Sequence, residues 1–144
     1  MTLFLALAGG IGAGKDSFSN FAVNGYGASF VSTSNLFREE AILLGIDPTR
    51  ENLITISKDF EDKYGVDEIA RRASERLLEL TDPGVGLGVL SSVRKLSHFE
   101  VFKSLLPDLK LIAVTAPIEI RYNRILARQR IGEAASSFED FIKT

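Results

Sequence analysis

The sequence of 144 residues contains no cysteine and only one histidine, His98. Without thiols the chain cannot form disulfides, thiolate zinc sites or a cysteine nucleophile. A single histidine also argues against histidine-rich metal centres and histidine-dependent catalytic triads. His98 lies near the start of a predicted helix, where we expect a surface or capping role rather than a catalytic one.

An excess of charge of either sign is also lacking. Seventeen lysines and arginines face nineteen acidic residues, a formal net charge of -2. This balance argues against nucleic acid or anionic membrane as a general partner. The apolar run at residues 1–8 has no positive residues before it and is far shorter than the ~20 residues of a membrane span. We expect one cytoplasmic domain over residues 1–144 that binds a small molecule.

Short apolar runs alternate with segments of helical spacing along the whole chain. The run Leu3–Ala8 ends at a glycine cluster, which is typical of a strand buried on both faces. Further strands are predicted at residues 28–32, 88–92 and 110–115. This alternation predicts an α/β fold with a parallel sheet covered on both faces.

Helical patterns fill the intervals between these strands. Asp47 followed by Pro48 predicts a helix start, because the pair offers an N-cap residue and a proline at the first helical position. Leu80 falls on the apolar stripe of the next predicted helix. The last long helix is predicted over residues 117–130, with Tyr122 and Ile125 packed on the sheet.

The glycine cluster has the spacing of a phosphate-binding loop. Residues 9–15 read Gly-Gly-Ile-Gly-Ala-Gly-Lys, which matches G-x-x-x-x-G-K between a strand and a helix. Such a loop turns backbone N–H groups toward phosphate oxygens, and side chains at the tight positions would block them. The helix N-terminus and Lys15 add positive charge. The predicted phosphate ligands are Gly10, Gly12, Ala13, Gly14 and Lys15.

The residues after the lysine depart from the usual motif. A serine or threonine at this position normally binds Mg²⁺, whereas this chain has Asp16 followed by Ser17. Both have oxygen atoms that suit Mg²⁺. Asp16 also fits a second interpretation, an acidic residue in the first turn of a helix, where the helix dipole favours it. The sequence leaves both open.

Three arginines are spaced along one face of the last long helix. Arg121, Arg124 and Arg128 follow at i, i+3 and i+7. Facing a phosphate loop, such a row would stabilise charge on a transferring phosphoryl group. The alternative is a solvated face paired with nearby acidic residues. Arg50, Arg71 and Arg72 lie on the predicted helices between the second and third strands, and a surface charge is a sufficient interpretation of each.

Beyond the loop, the chain resembles the P-loop nucleotide kinase superfamily. Residues 31–40 are similar to the start of the acceptor-binding helix of adenylate-kinase-type enzymes. The loop at 9–15 resembles that of dephospho-CoA kinases, and residues 116–128 resemble the helix that leads into the mobile lid of both groups. The resemblance implies a three-layer α/β/α P-loop NTPase fold, with ATP and Mg²⁺ as cofactors.

The resemblance also assigns roles to residues at matching positions. It implies that Arg38 binds the acceptor phosphate and that Thr33, in the matching stretch 31–40, also contacts the acceptor. Arg94, just beyond the third strand, would lie between donor and acceptor phosphates, and Arg128 would neutralise transition-state charge. The acceptor-binding segment would span about residues 34–80, and the lid-like segment about 121–135.

Some residues usual in these kinases are missing. Ser91 stands where they carry a metal-organising aspartate, and Asn35 lies where dephospho-CoA kinases place an acid that activates the acceptor hydroxyl. No strand is predicted after residue 132, where related kinases return to the sheet. The leading hypothesis is an ATP-dependent phosphotransferase with a nucleotide or nucleoside-like acceptor, of nucleoside monophosphate or dephospho-CoA type. The alternatives are a non-catalytic nucleotide-binding module and a simple NTPase.

Overall fold

The computed structural model describes residues 2–84, 86–91, 93–128 and 137–143. Strands and helices alternate through these ranges. The strands are β1 (Leu3–Ala8), β2 (Ser29–Ser32), β3 (Leu87–Ser91) and β4 (Lys110–Ala113). The helices are α1 (Lys15–Tyr26), α2 (Thr33–Leu43), α3 (Arg50–Tyr64), α4 (Glu68–Leu80), α5 (Leu96–Leu105), α6 (Ile118–Arg128) and α7 (Phe138–Ile142). No helix in these ranges combines the length and apolar character needed to cross a membrane.

The four strands form one parallel sheet in the order β2-β3-β1-β4. Leu5 of β1 pairs with Val89 of β3 on one side and with Lys110 of β4 on the other. The crossover connections put helices on both faces, as parallel sheets require. The predicted α/β architecture is therefore confirmed, with every described strand pair parallel.

Each face of the sheet carries its own apolar core. On one face Phe4, Ala6, Val31 and Leu90 pack with residues of α4 and α5, among them Phe102, which is fully buried. On the other face Leu7 and Val89 pack against Ala22 of α1. Side chains alternate between the two faces along each strand, which explains why β1 and β3 have continuous apolar runs. The result is a three-layer α/β/α arrangement.

Several helix details differ from the predictions. The helix expected at Asp47 begins at Arg50 because the Thr49 hydroxyl accepts the Asn52 N–H at 3.1 Å, while the Asp47 carbonyl accepts the Thr49 N–H in a preceding turn. Leu80 is 55% exposed, because the last turn of α4 extends past the core. Strand β2 begins at Ser29 rather than at residue 28, β3 begins at Leu87 rather than at residue 88, and β4 ends at Ala113 rather than at residue 115. Residue 92 lies outside the described residues.

The packing of α6 also differs from the expectation. Ile125 is fully buried, as predicted. The Tyr122 ring instead contacts Phe138 and Phe141 of α7, with ring centroids 5.3 and 5.4 Å away. These tilted ring contacts join α6 to α7 instead of joining it to the sheet. Residues 129–135 of the expected lid-like segment lie outside the described residues.

Candidate functional site

A cleft with a volume of about 1350 Å³ opens at the carboxyl ends of the strands. Loops after β1 and β3 and helices α2, α3 and α6 contribute to its walls. Open parallel sheets bind ligands at this edge because the crossover loops leave a crevice there. The glycine loop lies at one end of the cleft, and we call this part the donor half after the ATP site expected there from the sequence. The part lined by α2, α3 and the residues after β3 is called the acceptor half after the corresponding expectation.

The glycine loop between β1 and α1 has a backbone that side chains would obstruct. Gly12 has φ +78° and Gly14, the residue before α1, has φ +114°, both in the region that favours glycine. A Cβ added at Gly9 would lie 2.2 Å from the carbonyl oxygen of Val114. The Lys15 ammonium donates to the Gly9 carbonyl oxygen at 2.5 Å, so the lysine folds back over the loop.

Helix α6 packs directly on this loop. A Cβ added at Gly10 would lie 2.3 Å from Arg121 Nη1, and one at Gly12 would lie 2.6 Å from the Arg121 carbonyl oxygen. The Arg121 guanidinium also lies over the Phe141 ring, with Cζ 5.7 Å from the ring centroid. Glycine at positions 10 and 12 therefore admits both the backbone and the side chain of α6.

Two further arginines of α6 bind the donor half. Arg124 Nη1 donates to the carbonyl oxygens of Gly12 at 3.0 Å and Ala13 at 3.2 Å. Arg128 Nη1 lies 3.6 Å from Asp16 Oδ2. The predicted arginine row thus faces the glycine loop, with Arg124 holding loop carbonyls and Arg128 an acidic side chain.

Positive charge is crowded around Lys15. Burial lowers the pKa of Lys15, and repulsion from Arg94, Arg128 and Arg121 lowers it further, while Asp16 opposes these effects. Crowded cations raise the energy of the charged lysine. A phosphate group in the donor half would relieve this repulsion.

A second group of cations lies in the acceptor half. Arg38 Nη1 donates to Asn35 Oδ1 at 2.7 Å, and Thr33 lines the cleft nearby at the start of α2. Burial lowers the pKa of Arg94, and repulsion from Arg50 and Arg38 lowers it further. Three guanidinium groups close enough to repel one another suit an anionic ligand.

The distal wall of the acceptor half has a different character. Lys95 Nζ lies 2.5 Å from Glu61 Oε1 and joins the residues after β3 to α3. His98 is 9% exposed, and its Nε2 is 2.8 Å from the Val66 carbonyl oxygen between α3 and α4. The expected surface or capping role of His98 is therefore wrong. The imidazole is buried and joins α5 to the connection between α3 and α4.

The residues present offer a partial set of ligands for Mg²⁺. In the described part of the chain, no group of three or more histidine, cysteine, aspartate or glutamate side chains could hold a metal ion. Asp16 and Ser17 line the donor half, and Ser91 lies buried at the end of β3. Mg²⁺ commonly takes one or two protein oxygens and completes its shell with phosphates and water. Asp16 and Ser17 fit that limited role.

Most residues singled out from the sequence line this one cleft. They are Gly12, Ala13, Gly14, Lys15, Asp16, Ser17, Thr33, Arg38, Arg94, Arg124 and Arg128. Gly10 lies behind the loop against Arg121. Arg71 and Arg72 pair with Glu68 on the exposed face of α4, as a surface interpretation predicts.

Sequence reasoning missed Arg50 and Glu61, which also line the cleft. Both belong to a stripe on α3 with Leu53, Ile54 and Ser57, at spacings of i, i+3, i+4, i+7 and i+11. Residues at this spacing lie on one face of a helix, and this pattern is the feature of the sequence that indicates a shared face for Arg50 and Glu61. Without this stripe, Arg50 cannot be distinguished from a surface charge in the sequence.

Comparison with solved structures identifies neighbours of the fold. The unliganded sugar kinase from Janibacter sp. HTCC2649 is 20% identical, with a TM-score of 0.62 over 100% of this chain and 78% of that chain. The shikimate kinase from Acinetobacter baumannii is 15% identical, with a TM-score of 0.54 over 99% of this chain and 73% of that chain. At these identities the likeness shows the fold, which is that of the P-loop kinases.

Comparison of sequences identifies relatives in archaea, although no family model matches the chain. The UPF0200 protein of Hyperthermus butylicus is 30% identical over 139 residues, 96% of this chain and 72% of that protein. The UPF0200/UPF0201 protein of Archaeoglobus fulgidus is 32% identical over 111 residues. The UPF0200 protein of Thermococcus onnurineus is 31% identical over 117 residues. These matches span 34% and 62% of the two proteins' lengths. The chain belongs to the UPF0200 family.

Proposed function

We propose that this chain is an ATP-dependent phosphotransferase that moves the γ-phosphoryl group of ATP to a nucleotide or nucleoside-like acceptor. The observation that supports this proposal is a single cleft with positively charged side chains at both ends. Lys15, Arg124 and Arg128 lie around the glycine loop, and Arg38 and Arg50 lie on the acceptor-half helices. Arg94 repels cations of both ends of the cleft. Besides burial, repulsion from Arg94 lowers the pKa of Lys15, and repulsion from Arg50 and Arg38 lowers the pKa of Arg94.

In the donor half, the loop amides and Lys15 would bind the β- and γ-phosphates of ATP. Arg128 and Arg94 would stabilise the charge that develops on the transferring group. Arg124 would act mainly by holding the loop, since its guanidinium is bonded to loop carbonyls. Asp16 and Ser17 would offer oxygen ligands to a phosphate-bound Mg²⁺, whose chemistry is to neutralise phosphate charge.

In the acceptor half, the lining favours an acceptor with an anionic group and a flat apolar body. Arg38, Arg50 and Arg94 would bind a phosphate of the acceptor. Phe37, Leu53 and Ile54 offer apolar surface beside them. An apolar wall suits a nucleobase better than the hydroxyl groups of a sugar, so a nucleoside monophosphate or dephospho-CoA fits this half better than a free sugar.

The test is transfer of γ-labelled phosphate from Mg-ATP to a panel of nucleoside monophosphates, nucleosides, dephospho-CoA, gluconate and shikimate. We expect transfer to one of the phosphate-bearing acceptors, and we expect Lys15→Ala to abolish it. No transfer to any acceptor, with ATP bound, would support a non-catalytic nucleotide-binding module. Release of phosphate without an acceptor would support a simple NTPase. The non-catalytic alternative rests on Ser91, which leaves the end of β3 without a carboxylate.

Arg50 provides a sharper test of the acceptor half. Arg50→Gln should raise the KM for the acceptor by about 10- to 100-fold, because a hydrogen bond between charged groups contributes about 1.5–3 kcal/mol. The KM for ATP should change little. Arg71→Gln, on the exposed face of α4, is the matched control. An equal rise in KM for both substrates would contradict the assignment of Arg50 to the acceptor half.

A further inference from the structure

Asp16 occupies an unusual place at the entrance of α1. It is the residue directly after the loop lysine, and its carboxylate lies 3.6 Å from the Arg128 guanidinium of α6. The Asp16 side chain is half exposed, whereas that of Arg128 is 29% exposed. The pair therefore joins the first turn of α1 to the last turn of α6 across the mouth of the donor half.

The rest of α6 is anchored to the same loop. Arg124 donates to two loop carbonyl oxygens, and the backbone of Arg121 packs against Gly12. These contacts fix the position of α6 independently of Asp16. The Asp16 contact thus adds a specific effect, which is to direct the charged end of Arg128 toward α1.

Asp16 also lies beside the loop lysine. Lys15 and Asp16 are consecutive residues at the start of α1, and both line the donor half of the cleft. A carboxylate at this point supplies the negative charge that a phosphate would supply. It stabilises the crowded cations and repels an incoming polyphosphate.

We propose that Asp16 is an internal counter-ion for Arg128 and Lys15, which positions Arg128 over the glycine loop and competes with the phosphates of the donor. The competition is strongest for a polyphosphate without a divalent cation, because that ligand carries the most negative charge. Asp16 is therefore a positioning residue that makes the donor half discriminate in favour of metal-bound polyphosphate. This inference rests on phosphate binding by the loop and does not require phosphoryl transfer.

The test uses inorganic pyrophosphate as the probe, with calorimetric titration of the full chain in EDTA and in excess Mg²⁺. In EDTA, Asp16→Asn should bind pyrophosphate at least fivefold more tightly than the wild type, while Asp16→Glu should resemble the wild type. The gain from Asp16→Asn should shrink in an Arg128→Gln background. Glu119→Gln, which removes an exposed acid from the first turn of α6, is the matched control and should change nothing.

The contrary results are equally distinct. If Asp16→Asn leaves metal-free binding unchanged and weakens binding only with Mg²⁺, Asp16 acts solely as a metal ligand and the counter-ion inference is wrong. Thermal unfolding of each variant checks that the fold is retained. If the Asp16 effect is observed but no phosphoryl group is transferred, only the proposed function is wrong. If phosphoryl groups are transferred and the Asp16 effect is absent, only this inference is wrong.

Discussion

At the scale of single residues, the cations of the donor half are held at a cost to the fold. Lys15 is partly buried next to three arginines, and its pKa lies below the ordinary 10.5. The unfolded chain binds this proton more tightly than the folded chain does. Lys15 therefore lowers the free energy of unfolding at pH values where it is charged in both the folded and the unfolded chain. This loss diminishes as the pH rises from the pKa of Lys15 in the folded chain to its pKa in the unfolded chain.

Lys15→Met should consequently stabilise the fold while it weakens ATP binding by about 10- to 100-fold. The methionine keeps the side-chain length and removes the charge from the crowded site. We expect a higher urea midpoint than for the wild type at pH 7 and low salt, and a difference that becomes smaller as pH approaches 10.5.

The control for this prediction is Lys58→Met, an exposed lysine of α3 outside the cleft. Its urea midpoint should stay close to that of the wild type. A lower midpoint for Lys15→Met at pH 7 would mean that the hydrogen bond from Lys15 to the Gly9 carbonyl outweighs the repulsion among the cations.

At the scale of elements, the contact between α6 and the glycine loop depends on two glycines with different neighbours. A Cβ at Gly10 would meet the guanidinium end of Arg121, which is flexible. A Cβ at Gly12 would meet the backbone of Arg121, and Gly12 has a positive φ. The first clash is relieved by a rotamer change, whereas the second requires α6 to move.

Gly12→Ala should therefore destabilise the fold by about 1–3 kcal/mol, from overpacking and backbone strain. Gly10→Ala should cost less than about 1 kcal/mol, the order of a rotamer adjustment. Urea unfolding of the two variants measures the difference. Equal losses would indicate that α6 does not rest on the loop in solution.

The elements also show why some features were predictable and others were not. The strand, the glycine loop and the start of α1 are adjacent in sequence, so their spacing alone locates the donor half. Arg50 and Glu61 stand eleven residues apart on α3, whose other face carries the buried Ile56 and Phe60. Which polar stripe of such a helix faces a cleft depends on packing against distant segments.

His98 illustrates the same limit. Its neighbours along the chain indicate a position near a helix start, and the structure confirms that α5 begins at Leu96. Its burial depends on the Val66 carbonyl oxygen, which comes from the connection between α3 and α4. A hydrogen bond between residues so far apart in sequence has no local signature.

At the scale of the whole molecule, charge is distributed unevenly. The net charge is -2. In the described part of the chain, seven cations and two carboxylates line the cleft. The cations are Lys15, Arg38, Arg50, Arg94, Lys95, Arg124 and Arg128. A cleft of this kind attracts anionic ligands although the molecule as a whole is acidic.

This distribution predicts strong salt dependence of nucleotide binding. The Kd for ATP should rise by about tenfold between 50 and 500 mM NaCl, because salt screens the interaction between phosphates and cleft cations. Calorimetric titration at the two salt concentrations measures the change. The Kd of Lys15→Met should depend less on salt, and a salt-independent Kd for the wild type would contradict binding at this cleft.

The contact of Arg121 with both Gly10 and Phe141 has a practical consequence. Phe141 lies in α7, yet the Arg121 guanidinium over its ring also lies against Gly10 of the glycine loop. The chain has no tryptophan. Phe141→Trp would therefore create a lone indole fluorophore, and its emission should report any movement of the Arg121 guanidinium beside it. A feature of packing thus becomes an optical signal for events at the opposite end of the sequence.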